Sequence, residues 1–319
     1  MGKASRTKQD TDRRSRIAAQ REAERRAAQR KRIYLAGGAI LVVAIVVVAL
    51  VLVKLNSGGS TSTASNGPTG TALTTVTKQV TGIPSATTDA VADGGVNKGI
   101  FVAAKTPAAV SSAASQLGSY FATVDGAALT SGGKPEVLYL GGEYCPFCAA
   151  QRWSMVNALA RFGTFSGLKT THSSSTDSDP NTPTFTFYGS KYTSDYLTFT
   201  PVEEYTNTPS GNGYGTLQTP NAAQTAVGRA YDPSGSIPFF SIANKYVQVG
   251  NLAPLSPTLL KGMTWSQVAT AMQSPTSTVG KAIIGNANYM TAGICQVISN
   301  KSTTACTPAI QKLEANLAS

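Results

Sequence analysis

Pro135-Glu136-Val137-Leu138-Tyr139-Leu140-Gly141-Gly142-Glu143-Tyr144-Cys145-Pro146-Phe147-Cys148-Ala149-Ala150-Gln151-Arg152-Trp153 is the stretch that decides the reading of this 319-residue chain. Its first six residues form a short apolar run closed by two glycines, which suits a buried strand. From Cys145 the pattern changes period. Ala149, Trp153, Val156 and Leu159/Ala160 recur at helical spacing, and Pro146 is tolerated in a first helical turn. A strand that delivers Cys145 to the amino end of a helix places its sulfur beside unpaired N–H groups and the positive end of the helix dipole. That environment lowers a thiol pKa and favours the thiolate. Cys148 follows one turn later, within reach of a mixed disulfide formed at Cys145, with Pro146 stiffening the backbone between them. Cys145 is therefore expected to be the nucleophile and Cys148 the resolving thiol.

Downstream, Thr182 to Pro201 alternates Thr and Tyr with Phe and reads as a pair of strands within a polar, β-rich insertion. Ser236-Ile237-Pro238-Phe239-Phe240-Ser241-Ile242 reads as a turn entering a strand. Thr264-Trp265-Ser266-Gln267 is a capping-box pattern opening a helix, and helical patterns run through Val279–Ile298 and Thr307–Leu317. Strand, C-x-x-C helix, β-rich insert, X-Pro strand and helices together specify an α/β redox fold. Folds of the thioredoxin type set a cis-proline loop against the active disulfide, a role that falls to Ile237-Pro238. A cis X-Pro bond lies only about 0.5–1 kcal/mol above trans.

The four cysteines allow three pairings. The expected pairing joins Cys145 to Cys148 and Cys295 to Cys306, the latter as a structural staple between two helices, with a shuttle pair as its alternative. A metal site is not expected, because C-x-x-C lacks further ligands and the single histidine, His172, sits in a Ser/Thr-rich segment. No cofactor is expected either. Around the motif, Glu143 is the nearest carboxylate to serve in proton transfer, although a solvated loop position accounts for it equally well. Phe147 and Trp153 are candidates for the rim of a peptide groove, with plain core packing the better reading for Trp153.

The formal net charge is +11, but residues 1–54 hold 13 Lys/Arg against 4 Asp/Glu, so the remainder is close to neutral. A basic face on a folded nucleic-acid-binding domain is therefore excluded. The charge precedes Ile33 to Val53, an uncharged run of 21 residues that matches the ~20 needed to cross a bilayer. Positive flanks stay cytoplasmic. The expected organisation is a basic cytoplasmic tail (1–32) in contact with anionic lipid, a transmembrane helix (33–53), a flexible Ser/Thr/Gly linker (54–77) and an extracytoplasmic domain (78–319), single-pass in the cell membrane.

Gly132-Gly133-Lys134-Pro135-Glu136-Val137-Leu138-Tyr139, the motif Glu143-Tyr144-Cys145-Pro146-Phe147-Cys148-Ala149-Ala150, Arg152-Trp153, Thr184 to Gly189, Ile237-Pro238-Phe239, Gly262 to Trp265 and the Cys295 to Cys306 ending resemble the family called domain of unknown function 929. The likeness spans roughly residues 78–308. It implies a thioredoxin-like fold in a membrane-anchored prokaryotic protein. On this reading the chain is an enzyme, a thiol–disulfide oxidoreductase acting on extracytoplasmic proteins and recycled by a membrane redox partner. The competing expectation is a binding or structural ectodomain whose disulfide is inert. Pro146-Phe147 adds no positive charge between the cysteines, so an intermediate reduction potential is expected.

Overall fold

The computed structural model describes residues 67–103 and 106–317, which fall in the unit Ala64–Ser319. The basic tail, the apolar run Ile33 to Val53 and the linker up to residue 66 lie outside the described residues. Among the described residues no helix is long and apolar enough to cross a membrane.

The described residues begin with α1 (Gly70–Thr81) and α2 (Ser85–Val91), followed by β1 (Phe101–Ala103), α3 (Pro107–Leu117), β2 (Tyr120–Thr123), β3 (Thr130–Ser131) and β4 (Lys134–Gly141). The motif helix α4 (Pro146–Ala160) leads to β5 (Gly163–Ser166), β6 (Lys169–His172), β7 (Pro183–Thr186) and β8 (Lys191–Ser194). Next come β9 (Thr198–Glu203), β10 (Tyr205–Ser210), β11 (Gly213–Thr216) and α5 (Ala222–Tyr231). The last elements are β12 (Phe239–Ile242), β13 (Tyr246–Val249), α6 (Trp265–Ala271), α7 (Thr278–Val297) and α8 (Pro308–Leu317).

The fold is mixed α/β around one mixed sheet. Its strands run in the order β1-β2-β13-β12-β4-β3, and β9 pairs with β4. β9 lies parallel to β4, whereas β12 is antiparallel to β4 and to β13. Pleating divides the strand side chains between two cores, since successive residues of a strand face opposite sides. Val137, Tyr139, Phe240 and Ile242 join the core built by α1, α4 and α7. Leu138, Leu140, Phe239, Val247 and Val249 join a smaller core that includes Val110 of α3 and Tyr231 of α5. Helices thus cover both faces of the sheet.

Two parts of the sequence reading change. Residues 70–77, assigned by composition to the linker, belong to α1, which buries Val76 and Val80 one turn apart. Asn157 of α4 also donates to the Val80 carbonyl at 2.9 Å. The segment Thr182 to Pro201 is not one strand pair either. β7 pairs with β6, β8 pairs with β5, and β9 joins the central sheet. The insertion therefore consists of small two-stranded units around a true sheet strand. The capping box at Thr264 is present, with Gln267 reciprocating.

Cys295 and Cys306 form a disulfide with a sequence separation of 11, linking the end of α7 to the approach to α8. Loop-closure entropy for a ring of that size makes it worth about 3 kcal/mol. Replacing both cysteines with serine is expected to lower stability in urea denaturation by about that amount, with α4 and its two thiols unchanged in alkylation.

Candidate functional site

Helix α4 is the element on which the site is built. Cys145 is its N-cap, Pro146 occupies the first helical position, and every residue from Pro146 to Leu159 except Phe147 is buried. A helix buried on all sides must satisfy its polar side chains internally. Ser154 Oγ donates to the Ile283 carbonyl of α7 at 2.8 Å, and Trp153 Nε1 donates to Pro183 O at 2.8 Å. Gln151 Oε1 accepts from Gln248 Nε2 at 3.2 Å. Trp153 is 0% exposed and is a core residue. Phe147, by contrast, is 44% exposed beside the motif.

The two cysteines are present as free thiols. Cys145 Sγ accepts from the Cys148 backbone N–H at 3.3 Å and lies 3.8 Å from the Ile237 carbonyl, to which its thiol donates. Ile237–Pro238 is a cis peptide bond. The 3.8 Å contact brings the X-Pro loop and the motif, 92 positions apart, together at this sulfur. The Cys148 thiol directs its hydrogen at Cys145, and the Cys148 and Phe147 N–H groups and the Arg152 guanidinium add to it; together they outweigh burial and pull the Cys145 thiol below its ordinary value. Burial, and then the bond to Cys145, push the Cys148 thiol well up. The two thiols are thus set apart, with ionisation favoured at Cys145 and opposed at Cys148.

Behind the motif lies a carboxylate that sequence reasoning missed. Arg152 and Glu203, both 0% exposed, form a two-pronged pair with Nε to Oε1 at 2.8 Å and Nη2 to Oε2 at 2.6 Å. Arg152 Nη2 also donates to Gly142 O at 2.7 Å, and Phe187 N donates to Glu203 Oε1 at 3.2 Å. The register of β9 against β4 sets Glu203 beside Gly141. Glu143, the carboxylate expected from sequence, is half-buried and contributes its backbone N–H, which donates to Tyr205 O at 2.9 Å. The signal available for Glu203 was its end position on an apolar-alternating strand, but its partner is 51 residues away.

Aromatic side chains frame the entrance. Tyr144 stacks on Tyr214 of β11 with centroids 4.1 Å apart and meets Tyr205 edge-on. Beside Ile237 a small cleft of about 80 Å³ opens, lined by Leu140, Glu204, Gly228, Arg229, Ile237 and Phe239 among others. Desolvation raises the Glu204 carboxyl there, and Arg229 opposes the rise. His172 lies in β6 with Nδ1 2.7 Å from Ser173 O. Among the described residues no group of three or more His, Cys, Asp or Glu is gathered to hold a metal.

Two outcomes are expected. At neutral pH iodoacetamide labels Cys145 before Cys148, and labelling of Cys145 rises at lower pH than for an ordinary thiol; mass spectrometry of digests reads both. Arg152→Met or Glu203→Gln alone leaves one charge buried and costs about 3–5 kcal/mol in urea denaturation, whereas removing both charges with apolar residues costs less than the two single changes summed.

No curated protein and no solved structure matches the chain. Residues 120–217, which contain β2, β4, the motif, α4 and Glu203, match the model of the family described as Domain of unknown function (DUF929), in agreement with the resemblance carried by the motifs between Gly132 and Gly189.

Proposed function

We propose that this protein is a membrane-anchored, extracytoplasmic thiol–disulfide oxidoreductase of thioredoxin-like fold that acts on protein thiols and disulfides through Cys145 and Cys148. The observation that carries the reading is the position of Cys145 Sγ. It caps α4, receives the Cys148 N–H at 3.3 Å and stands 3.8 Å from the Ile237 carbonyl. A thiol with a lowered pKa, a buried partner thiol one helical turn along and an open rim at Phe147 is suited to nucleophilic attack on a disulfide.

Connectivity supports the thioredoxin-like part of the reading. A strand feeds the C-x-x-C helix, a parallel strand follows at its edge, and an X-Pro turn opens an antiparallel strand pair on its other side. The apolar run Ile33 to Val53 behind a basic flank supports the anchor and the orientation. The cleft beside Ile237 is a natural receptor for a substrate side chain next to the reacting cysteine.

Capture of partners tests the proposal. Cys148→Ala removes the resolving thiol, so mixed disulfides at Cys145 should accumulate and disappear when Cys145 is also replaced. A gel with no thiol-sensitive adducts in cells expressing Cys148→Ala would favour the inert ectodomain over the oxidoreductase.

A further inference from the structure

Tyr139 and Gly141 lie two residues apart on β4 and so share a face of the sheet. A Cβ at position 141 would fall 2.1 Å from Tyr139 Oη, so the phenol lies over the glycine. Tyr139 is 0% exposed, and its ring is held edge-on to Phe187 with centroids 5.4 Å apart. Its hydroxyl has no hydrogen-bond partner among the described residues, and the same holds for buried Nη1 of Arg152, whose Cζ stands 6.0 Å from the Tyr139 ring centroid. Two orphaned donors on neighbouring buried side chains are uncommon and need a physical reason. Next along the chain, the Gly142 carbonyl is held by Arg152 Nη2, and the Cys148 sulfur is near enough to Tyr139 and Arg152 to act on both electrostatically. Tyr139, Arg152 and the buried sulfur are therefore gathered around the Gly141-Gly142 backbone.

We propose that Tyr139 Oη and Arg152 Nη1 are the receiving site for negative charge on Cys148 Sγ during thiol–disulfide exchange, an assignment that rests on the exchange activity proposed above. When a substrate thiolate attacks Cys145 Sγ of the oxidised pair, a substrate–Cys145 S–S bond forms and the Cys145–Cys148 bond breaks. The electron pair of the broken bond goes to Cys148 Sγ, which leaves as a thiolate; the substrate sulfur is oxidised, Cys148 is reduced, Cys145 stays at the disulfide level, and no proton moves. The sulfur that takes up this charge is 0% exposed in the dithiol. Its stabilisation falls to fixed donors, and an O–H and a guanidinium N–H without other partners are suited to it. Glu203 keeps Arg152 fixed and balances its charge in the dithiol. In the reverse step the same donors hold the Cys148 thiolate as it attacks the mixed disulfide.

The discriminating variant is Tyr139→Phe, because it deletes only an unpaired hydroxyl and leaves the ring packing intact. The full chain, oxidised at Cys145–Cys148, is reduced with dithiothreitol over a range of pH and quenched by alkylation. Tyr139→Phe is expected to slow reduction roughly tenfold, equivalent to ~1.4 kcal/mol on the barrier, with its thermal midpoint unchanged or higher. In a Cys145→Ser background, thiolate absorbance should show Cys148 titrating about one unit higher when Tyr139→Phe is added than when Tyr139 is kept. Wild-type rates together with an unmoved Cys148 titration would overturn the proposal. If the unaltered protein neither exchanges with dithiothreitol nor traps partners, the exchange activity itself fails; if it does both and Tyr139→Phe matches it, only the role of Tyr139 fails.

Discussion

A guanidinium and a carboxylate, both 0% exposed, stand behind the reactive cysteines and tie the motif helix and the turn entering it to a strand 51 residues further along. Arg152 comes from the motif helix, Glu203 from the end of β9, and the Gly142 carbonyl from the turn into the motif. Neither charge is tolerable alone at that depth, because an unpaired ion in a protein interior carries a large desolvation penalty. The pair therefore fixes the parallel register of β9 on β4 and the entry angle of α4 together. The geometry at Cys145 inherits that register.

The same principle governs the rest of α4. Ser154 and Asn157 each bond to a backbone carbonyl on another element, Gln151 meets Gln248, and Arg161 bridges Asn157 and Asn288. A helix with so many polar residues would ordinarily lie at a surface. Here each polar group specifies one neighbour, and the helix is locked in rotation as well as in position. That precision suits a sulfur that must face both a carbonyl and an incoming partner.

Much of this was legible in the chain itself. The apolar run before two glycines, the helical spacing after Cys145, the Thr264 capping box and the last two helices are local patterns, and each depends on residues within one or two turns. Of the expected pairing, Cys295–Cys306 is present as a disulfide, whereas Cys145 and Cys148 stand as free thiols. What escaped was non-local. Glu203 looks like any acidic strand end until β9 is placed beside Gly141. The helix Gly70–Thr81 has the Thr-rich composition of a linker, and only Val76 and Val80 disclose a buried stripe. The expected strand pair in Thr182 to Pro201 failed because β7 and β9 find different partners, a choice made by the edge of β4 and by β6.

The Tyr139 phenol occupies the space in which a side chain at 141 would begin. The two positions consequently share one volume and cannot drift independently. In the descent of such chains, a larger residue at 141 is admissible only where 139 has shrunk or turned away, and a glycine at 141 marks chains that keep a long side chain at 139. Variation at these two sites should therefore be inherited as a linked pair.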